Sequence, residues 1–306
     1  MQDRQWFYPE LQVIGAALGW GAQKRATEEG PSALNLADLV RIFLEKGFVA
    51  PDPKMLIPEF RASQGLAPDF ELQLKWVAQF CERLAKTLLP LFEQGTLPVV
   101  VGGDHSVAMG TWSALSHHYA KLGPIGLIWV DAHMDAHTRQ TTPSYAIHGM
   151  PVAHLLGYGE PVLSQLLSPV PKLLPEHLAY IGVRSFEEGE AALLKQLGVR
   201  VYTMHEVQQR GFIEVWQEAL AHVVAGTVGF GVSIDLDAFD PEEAPGVGSP
   251  EPGGLWFEDV ALSWRGLAFE PRLKAIEIVE FNPTLDINQR TAKLVYRLAE
   301  EIFCQL

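Results

Sequence analysis

Four short motifs carry side chains of the types that hold metal ions. Gly102-Gly103-Asp104-His105-Ser106 closes the apolar run LPVVVGG, Asp131-Ala132-His133-Met134-Asp135 follows IGLIWV, Asp235-Leu236-Asp237 follows VGFGVSI, and Glu280 follows AIEIV. In the middle two, acidic and imidazole groups sit at alternate positions, and along an extended chain alternate side chains share a face. Asp131, His133 and Asp135 are therefore expected to converge, as are Asp235 and Asp237. Four aspartates and two histidines gathered at one place repel one another unless cations compensate them. Two divalent ions would bring four positive charges to the four carboxylates, and a mixed carboxylate and imidazole set favours Mn, Fe or Zn, with oxygen-rich sites leaning toward Mn. Any one aspartate behind a strand reads as a turn former or helix cap. Six metal-type residues in four positioned motifs do not.

Such residues can meet only if the fold gathers the ends of several strands. Short runs rich in Val, Ile and Leu alternate with longer segments whose apolar residues recur at three- and four-residue steps, the pattern of parallel strands joined by crossover helices. Strands are predicted at Leu11–Ala17, Leu97–Gly102, Ile125–Asp131, Leu178–Val183, Val201–Met204, Val228–Asp235 and Ala275–Glu280. Helices are predicted at Leu72–Glu93, Ser106–Ala120, Phe212–Val224 and Arg290–Gln305. Most of the strands are apolar throughout, as in a sheet covered on both faces. The expected class is α/β, a three-layer αβα sandwich with a mostly parallel central sheet, and such sheets bind ligands at the carboxyl ends of their strands. Pro51–Pro68 and the loop from Pro241 to Gly254 read as excursions from a single domain over residues 1–306. The glycines of Gly246–Gly254 lack a Walker lysine and a dinucleotide-binding spacing, so that loop is expected to shape a pocket wall.

Composition narrows the function further. The chain has 306 residues, 23 Lys and Arg against 37 Asp and Glu, and a formal charge of −14. That balance argues against general nucleic-acid binding, which relies on Lys and Arg displacing counterions. A chain of this length buries enough surface to fold without a structural metal, so a metal here would serve chemistry. The two cysteines, Cys81 and Cys304, form no disulfide framework, which suits a reducing compartment. The start MQDRQWFYPE lacks the basic and apolar regions of a secretory signal, and no window approaches the roughly 20 apolar residues of a membrane span. A cytoplasmic protein without membrane partners is expected.

With these motifs the sequence resembles the ureohydrolases, the family of arginase, agmatinase and formimidoylglutamase. The resemblance rests on Gly102–Ser106, Asp131–Asp135, His148-Gly149, Ser233–Asp237 and Glu280. It extends from Ile14-Gly15-Ala16 and Glu29-Gly30-Pro31 through Asp240-Pro241 and Ala244-Pro245-Gly246 to Asn282-Pro283. It implies a binuclear manganese site, two Mn2+ per chain, in which Asp131 and Asp235 bridge both ions, His105 and Asp135 complete one shell, and His133 and Asp237 the other. It also implies attack of a metal-bridging hydroxide on a guanidinium carbon, giving urea and an amine. Glu280 would hold the guanidinium by charge-assisted hydrogen bonds. His148 would shuttle protons, and Asp135 is counted with these two among the catalytic residues. Trimers or hexamers are implied as well.

The far end of the substrate separates the members. The segment from His137 to His148 is similar in length to the amino-acid loop of arginases, and His148-Gly149-Met150-Pro151-Val152-Ala153-His154-Leu155-Leu156 resembles their HGxPxxxLL run. Ser144 matches a carboxylate-binding serine, Glu187 and Glu190 match an acidic pair facing the substrate's α-amino group, and Ser249 stands where a pocket-lining Thr is usual. His137 and Ala146 replace asparagines, and His137 can still donate to a carboxylate whereas Ala146 cannot. Arg139 is a nearby charge that could compensate. The expected small-molecule partner is L-arginine, converted with water to L-ornithine and urea. The alternatives are agmatinase or another guanidino-acid hydrolase, less attractively formimidoylglutamase, and a catalytically silent binding subunit, which would have lost metal ligands.

Overall fold

The computed structural model describes residues 10–59 and 69–305. The N-terminal segment through Pro9 and residues 60–68 of the Pro51–Pro68 excursion lie outside them. Among the described residues eight strands form one sheet: β1 Leu11–Ala16, β2 Lys54–Leu56, β3 Leu97–Gly102, β4 Gly126–Val130, β5 Leu178–Val183, β6 Arg200–Thr203, β7 Phe230–Asp235 and β8 Leu273–Val279. Their order is β2-β1-β3-β8-β7-β4-β5-β6, and every pairing is parallel. The last strand in sequence thus lies inside the sheet, joining β2-β1-β3 to β7-β4-β5-β6.

Side chains alternate between two apolar layers, as the period of a strand requires. From β3, Val99 and Val101 enter one layer and Val100 the other; from β4, Ile128 and Val130 oppose Leu127 and Trp129. The first layer is closed by helices Leu36–Glu45, Phe212–Val224, Phe257–Trp264 and Arg290–Ile302, the second by Phe70–Gln94 and Ala108–Tyr119. Helix Phe70–Gln94 is started by Asp69, whose carboxylate accepts from the Leu72 N–H at 2.9 Å, and ends at Gly95 in the left-handed conformation. Trp112, wholly buried, fills the second layer so tightly that a Cβ on Gly231 would come within 2.0 Å of its ring.

The seven strands expected from the sequence are present within two residues at each end. Strand β2 lies within the segment Pro51–Pro68, which the sequence presents as an excursion. It is three residues long with two side chains exposed, too short for a period to register. Helices Leu36–Glu45, Glu188–Leu197, Met204–Arg210 and Phe257–Trp264 were likewise not singled out. Among the described residues no helix is long and apolar enough to cross a membrane.

Candidate metal centre and substrate cavity

Each motif begins where its strand runs out. β4 stops at Val130, so Asp131, His133 and Asp135 do not converge as alternate residues of a strand. Asp131 instead turns the chain back on itself, its Oδ1 accepting from the His133 N–H at 2.7 Å, and Asp235 does the same at the end of β7, accepting from the Asp237 N–H at 2.8 Å. Asp135 then takes a left-handed backbone, φ 47°, and so does Glu280, φ 67°. Strain of this kind outside glycine is held only where the surroundings demand it.

Six of the predicted residues come together in two overlapping groups. His105 Nδ1 lies 3.3 Å from Asp131 Oδ2, 3.1 Å from Asp135 Oδ2 and 3.0 Å from Asp235 Oδ2. His133 Nδ1 lies 3.5 Å from Asp131 Oδ1 and 3.1 Å from Asp237 Oδ2. Asp131 therefore turns one oxygen to each group. His105, Asp131 and Asp235 could hold one ion, and Asp131, His133 and Asp237 another. The electrostatics fit cations. Burial and neighbouring aspartates raise the carboxyls of Asp135 and Asp235, and burial pushes Asp237 up to about 6. Burial also works against charge on His105 and His133, yet the aspartates raise both imidazoles well above their ordinary value. The histidines are drawn into the cationic role the cluster lacks.

A buried relay settles which nitrogen of His105 faces the cluster. Ser233 Oγ donates its proton to Glu277 Oε1 at 2.9 Å, so it accepts from His105 Nε2–H at 3.0 Å. With Nε2 so engaged, Nδ1 is the nitrogen that would give its lone pair to a cation: it is buried, has no hydrogen-bond partner and is aimed among three carboxylate oxygens. That is the arrangement a metal ligand needs. Glu277 also accepts from Trp112 Nε1–H at 3.2 Å, and Trp129 Nε1–H donates to Asp131 Oδ2 at 2.8 Å while its ring stacks on His105 at 4.0 Å. None of these supports was predicted, although a glutamate in the middle of the apolar run AIEIV was a visible signal.

Glu280 is held beside the cluster. Its Oε1 accepts from the His105 N–H at 2.8 Å and lies 2.9 Å from His148 Nδ1. Burial opposes a charge on His148, but the Glu280 carboxylate, helped by Asp104 and Asp135, raises the imidazole to about 9. Asp104, unassigned from sequence although it lies inside the GGDHS motif, accepts from Gly21 N–H at 2.7 Å, and the Gly21 carbonyl in turn accepts from the His148 N–H at 3.2 Å. Gly103 is required here because a Cβ would meet the Leu18 carbonyl oxygen at 1.8 Å.

His133, Asp235 and Asp237 form the floor of a cavity of about 280 Å³ whose wall includes Asp135, His137, Ser144, Ala146, His148, Glu187, Glu190, Ser249 and Glu280. Every substrate residue expected from sequence is therefore on it. His137 is buried; its Nε2 lies 2.9 Å from Glu187 Oε2 and 3.6 Å from Glu190 Oε1. Glu190 accepts from the N–H groups of Glu187 and Ala136 and is pushed up to about 8 by burial. Ser144 Oγ accepts from the Ala146 N–H at 3.2 Å, and Gln23 Nε2 donates to the Ser144 carbonyl. Arg139 does not compensate for Ala146. It pairs with Glu71 at 2.6 Å and lies over the Phe70 ring, at the start of a helix rather than in the cavity. Glu251, also missed, lines the wall 3.8 Å from His133 Nε2, and Arg184 binds the carbonyls of Asp237 and Glu251, tying the Gly-rich loop to the floor.

Residues 9–304 match the family model described as Arginase family. The arginase of Bacillus caldovelox is 39% identical over 298 residues, 96% of this chain and 97% of that protein. The crystal structure of arginase from Bacillus cereus superposes with a TM-score of 0.88 at 36% identity, covering 97% of this chain and 99% of that one. The arginase of Entamoeba histolytica, solved in complex with L-ornithine, does so with a TM-score of 0.88 at 27% identity and the same coverage. With both the sequence and the sheet matched almost from end to end, the chain belongs to the arginase family.

Proposed function

We propose that the protein is a binuclear manganese arginase, hydrolysing a C–N bond of L-arginine to give L-ornithine and urea. The observation that carries this reading is the cluster of four aspartates and two histidines, of which His133, Asp135, Asp235 and Asp237 line a cavity whose rim presents His137, Ser144, Glu187 and Glu190. The relatives support it: those compared are arginases, and one holds L-ornithine, the expected amine product. In this reading His105, Asp131, His133, Asp135, Asp235 and Asp237 would together hold two Mn2+ ions. When bound, such a pair supplies Lewis acidity and brings the pKa of a water from 15.7 toward roughly 7.

The remaining work falls to side chains. Both bonds that fix Glu280 end on Oε1, which leaves Oε2 to take the guanidinium N–H groups. Water adds to the guanidinium carbon, the bond to the substrate's δ-nitrogen breaks, and that nitrogen must gain a proton to leave as an amine. His148, tied to Glu280 through Nδ1 and kept protonated by it, delivers that proton. Asp135 belongs to both the cluster and the cavity wall and so faces the reacting atoms. At the rim, Ser144 and His137 take the α-carboxylate, Glu187 and Glu190 the α-amino group, and Ser249 lines the wall.

Residues 1–306 act as one catalytic domain in this proposal, working in the cytoplasm as a trimer or hexamer. Urea release by Mn-loaded protein offered L-arginine, agmatine, guanidinobutyrate and guanidinopropionate in parallel tests it, with Asp235→Asn as a control for contaminating activity. Preference for L-arginine is expected. Preference for a guanidine lacking either α-group would remove the arginase assignment and leave guanidine hydrolysis standing.

A further inference from the structure

The two imidazoles of the metal centre are backed differently. Each turns Nδ1 to the aspartates, and each enters only one of the two ligand groups that share Asp131. A histidine that gives Nδ1 to a cation carries its proton on Nε2 and needs an acceptor there, because that bond fixes the ring's orientation and raises its basicity. For His105 the acceptor is Ser233, deep in the sheet. The His133 ring is partly exposed, and the carboxylate set against its Nε2 is that of Glu251, with Oε1 3.8 Å away.

Three features hold that carboxylate in place. Ser185 Oγ donates to the same oxygen at 3.1 Å, and the Ser185 N–H donates at 3.0 Å to the carbonyl of Ala132, the residue before His133. Arg184 Nη2 donates to the backbone carbonyls of Glu251, at 2.6 Å, and Asp237, at 2.7 Å, so the backbone carrying Glu251 is clamped to a member of His133's own ligand group. Pro250 and Pro252 flank the residue, and a proline restricts the residue before it to extended conformations. A direct N–H···O bond spans about 2.9 Å, and the remaining gap of about 1 Å is within a rotation of a glutamate side chain that is 36% exposed.

We propose that Glu251 is a positioning residue for the metal centre: it accepts the Nε2 proton of His133 and so sets the affinity of the ion in the group of Asp131, His133 and Asp237. The inference rests on the binuclear manganese reading and deepens it, because it makes the two ions separable. Ser233 backs one from within the sheet, and Glu251 backs the other from the cavity wall.

The test is equilibrium dialysis of the full-length, Mn-loaded protein against falling concentrations of free Mn2+. Bound metal is counted, and the electron paramagnetic resonance of the same samples is recorded, in which two coupled Mn2+ ions and a single ion give different spectra. Glu251→Leu is expected to release one ion at roughly 10–100-fold higher free Mn2+ than the native protein does, leaving the single-ion spectrum, while the other ion is held as before. Glu251→Gln keeps an oxygen that accepts from Nε2 and should restore most of the retention. Ser185→Ala, which leaves the glutamate in place but frees its Oε1, should fall between the two. Native retention of both ions in Glu251→Leu would overturn the proposal, as would equal weakening of both ions or equal loss in the Leu and Gln variants. A native protein that holds no second ion would overturn the binuclear reading and this inference with it.

Discussion

The floor and the rim of the cavity use the same residue types under different constraints. On the floor, His105 and Asp131 are wholly buried, each is fixed by neighbours from another strand or helix, and the supporting chain runs on through Ser233 to Glu277 in the middle of β8. On the rim, the Glu187 side chain is 59% exposed, and the loop carrying Ser144 is moored by Gln23 and by surface contacts at Phe70 and Glu71. A change on the floor propagates through a packed sheet, whereas a change on the rim stays local. Chemistry can therefore remain constant while substrate preference drifts, and the departures from arginase at His137 and Ala146 both fall on the rim.

The contrast can be broken most severely at Asp131, which turns one carboxylate oxygen to each ligand group. Asp131→Asn should cost activity on the order of 10³-fold, beyond the roughly 10–100-fold that a ligand's supporting partner costs, and should lower bound metal measured on the purified protein. Retention of full metal content and activity would show that the floor is not the metal centre. Ser233→Ala touches no substrate and should still weaken metal affinity by roughly 10–100-fold, read by calorimetric titration, because the His105 proton loses its acceptor.

Glu280→Gln keeps the shape and removes the charge, for an expected loss of about 2 kcal/mol, roughly thirtyfold in kcat/KM. It also carries a pH signature. A group raised by a neighbouring anion stays protonated to higher pH, so activity that needs protonated His148 falls as pH rises through about 9 in the native protein. In the Gln variant that fall should begin at lower pH, and an unmoved alkaline limb would assign the proton to another group. Smallest of all, Arg139→Ala should raise KM for L-arginine about two- to threefold with kcat unchanged, because it loosens an exposed ion pair and a ring contact worth at most about 1 kcal/mol each.

How far the sequence was readable follows the same division. The strands and the metal-type residues were visible because a buried parallel strand is an unbroken apolar run and its polar successor stands out against it. The means of convergence was not visible: alternation suggested a continuing strand, while Asp131 and Asp235 bend the chain by capturing the N–H two residues on. Glu277 could be seen but not interpreted, since its partners Ser233 and Trp112 lie 44 and 165 residues away. The direction of Arg139 was beyond reach for a similar reason, because Phe70 and Glu71 belong to a helix that sequence alone does not place beside the loop. Pairing across the fold decides such matters, and composition near a residue does not report it.

The position of β8 also has a consequence for biosynthesis. Until residues 273–279 have been made, the nascent chain can form only β2-β1-β3 and β7-β4-β5-β6, each with an open edge that invites pairing with other chains. The bond from His105 to Glu280 spans 175 residues, so these contacts are of high order and form late. A ribosome that stalls before β8 therefore releases an aggregation hazard with no working floor, and no hydrolase can exist until Glu280 at the end of β8 has been made.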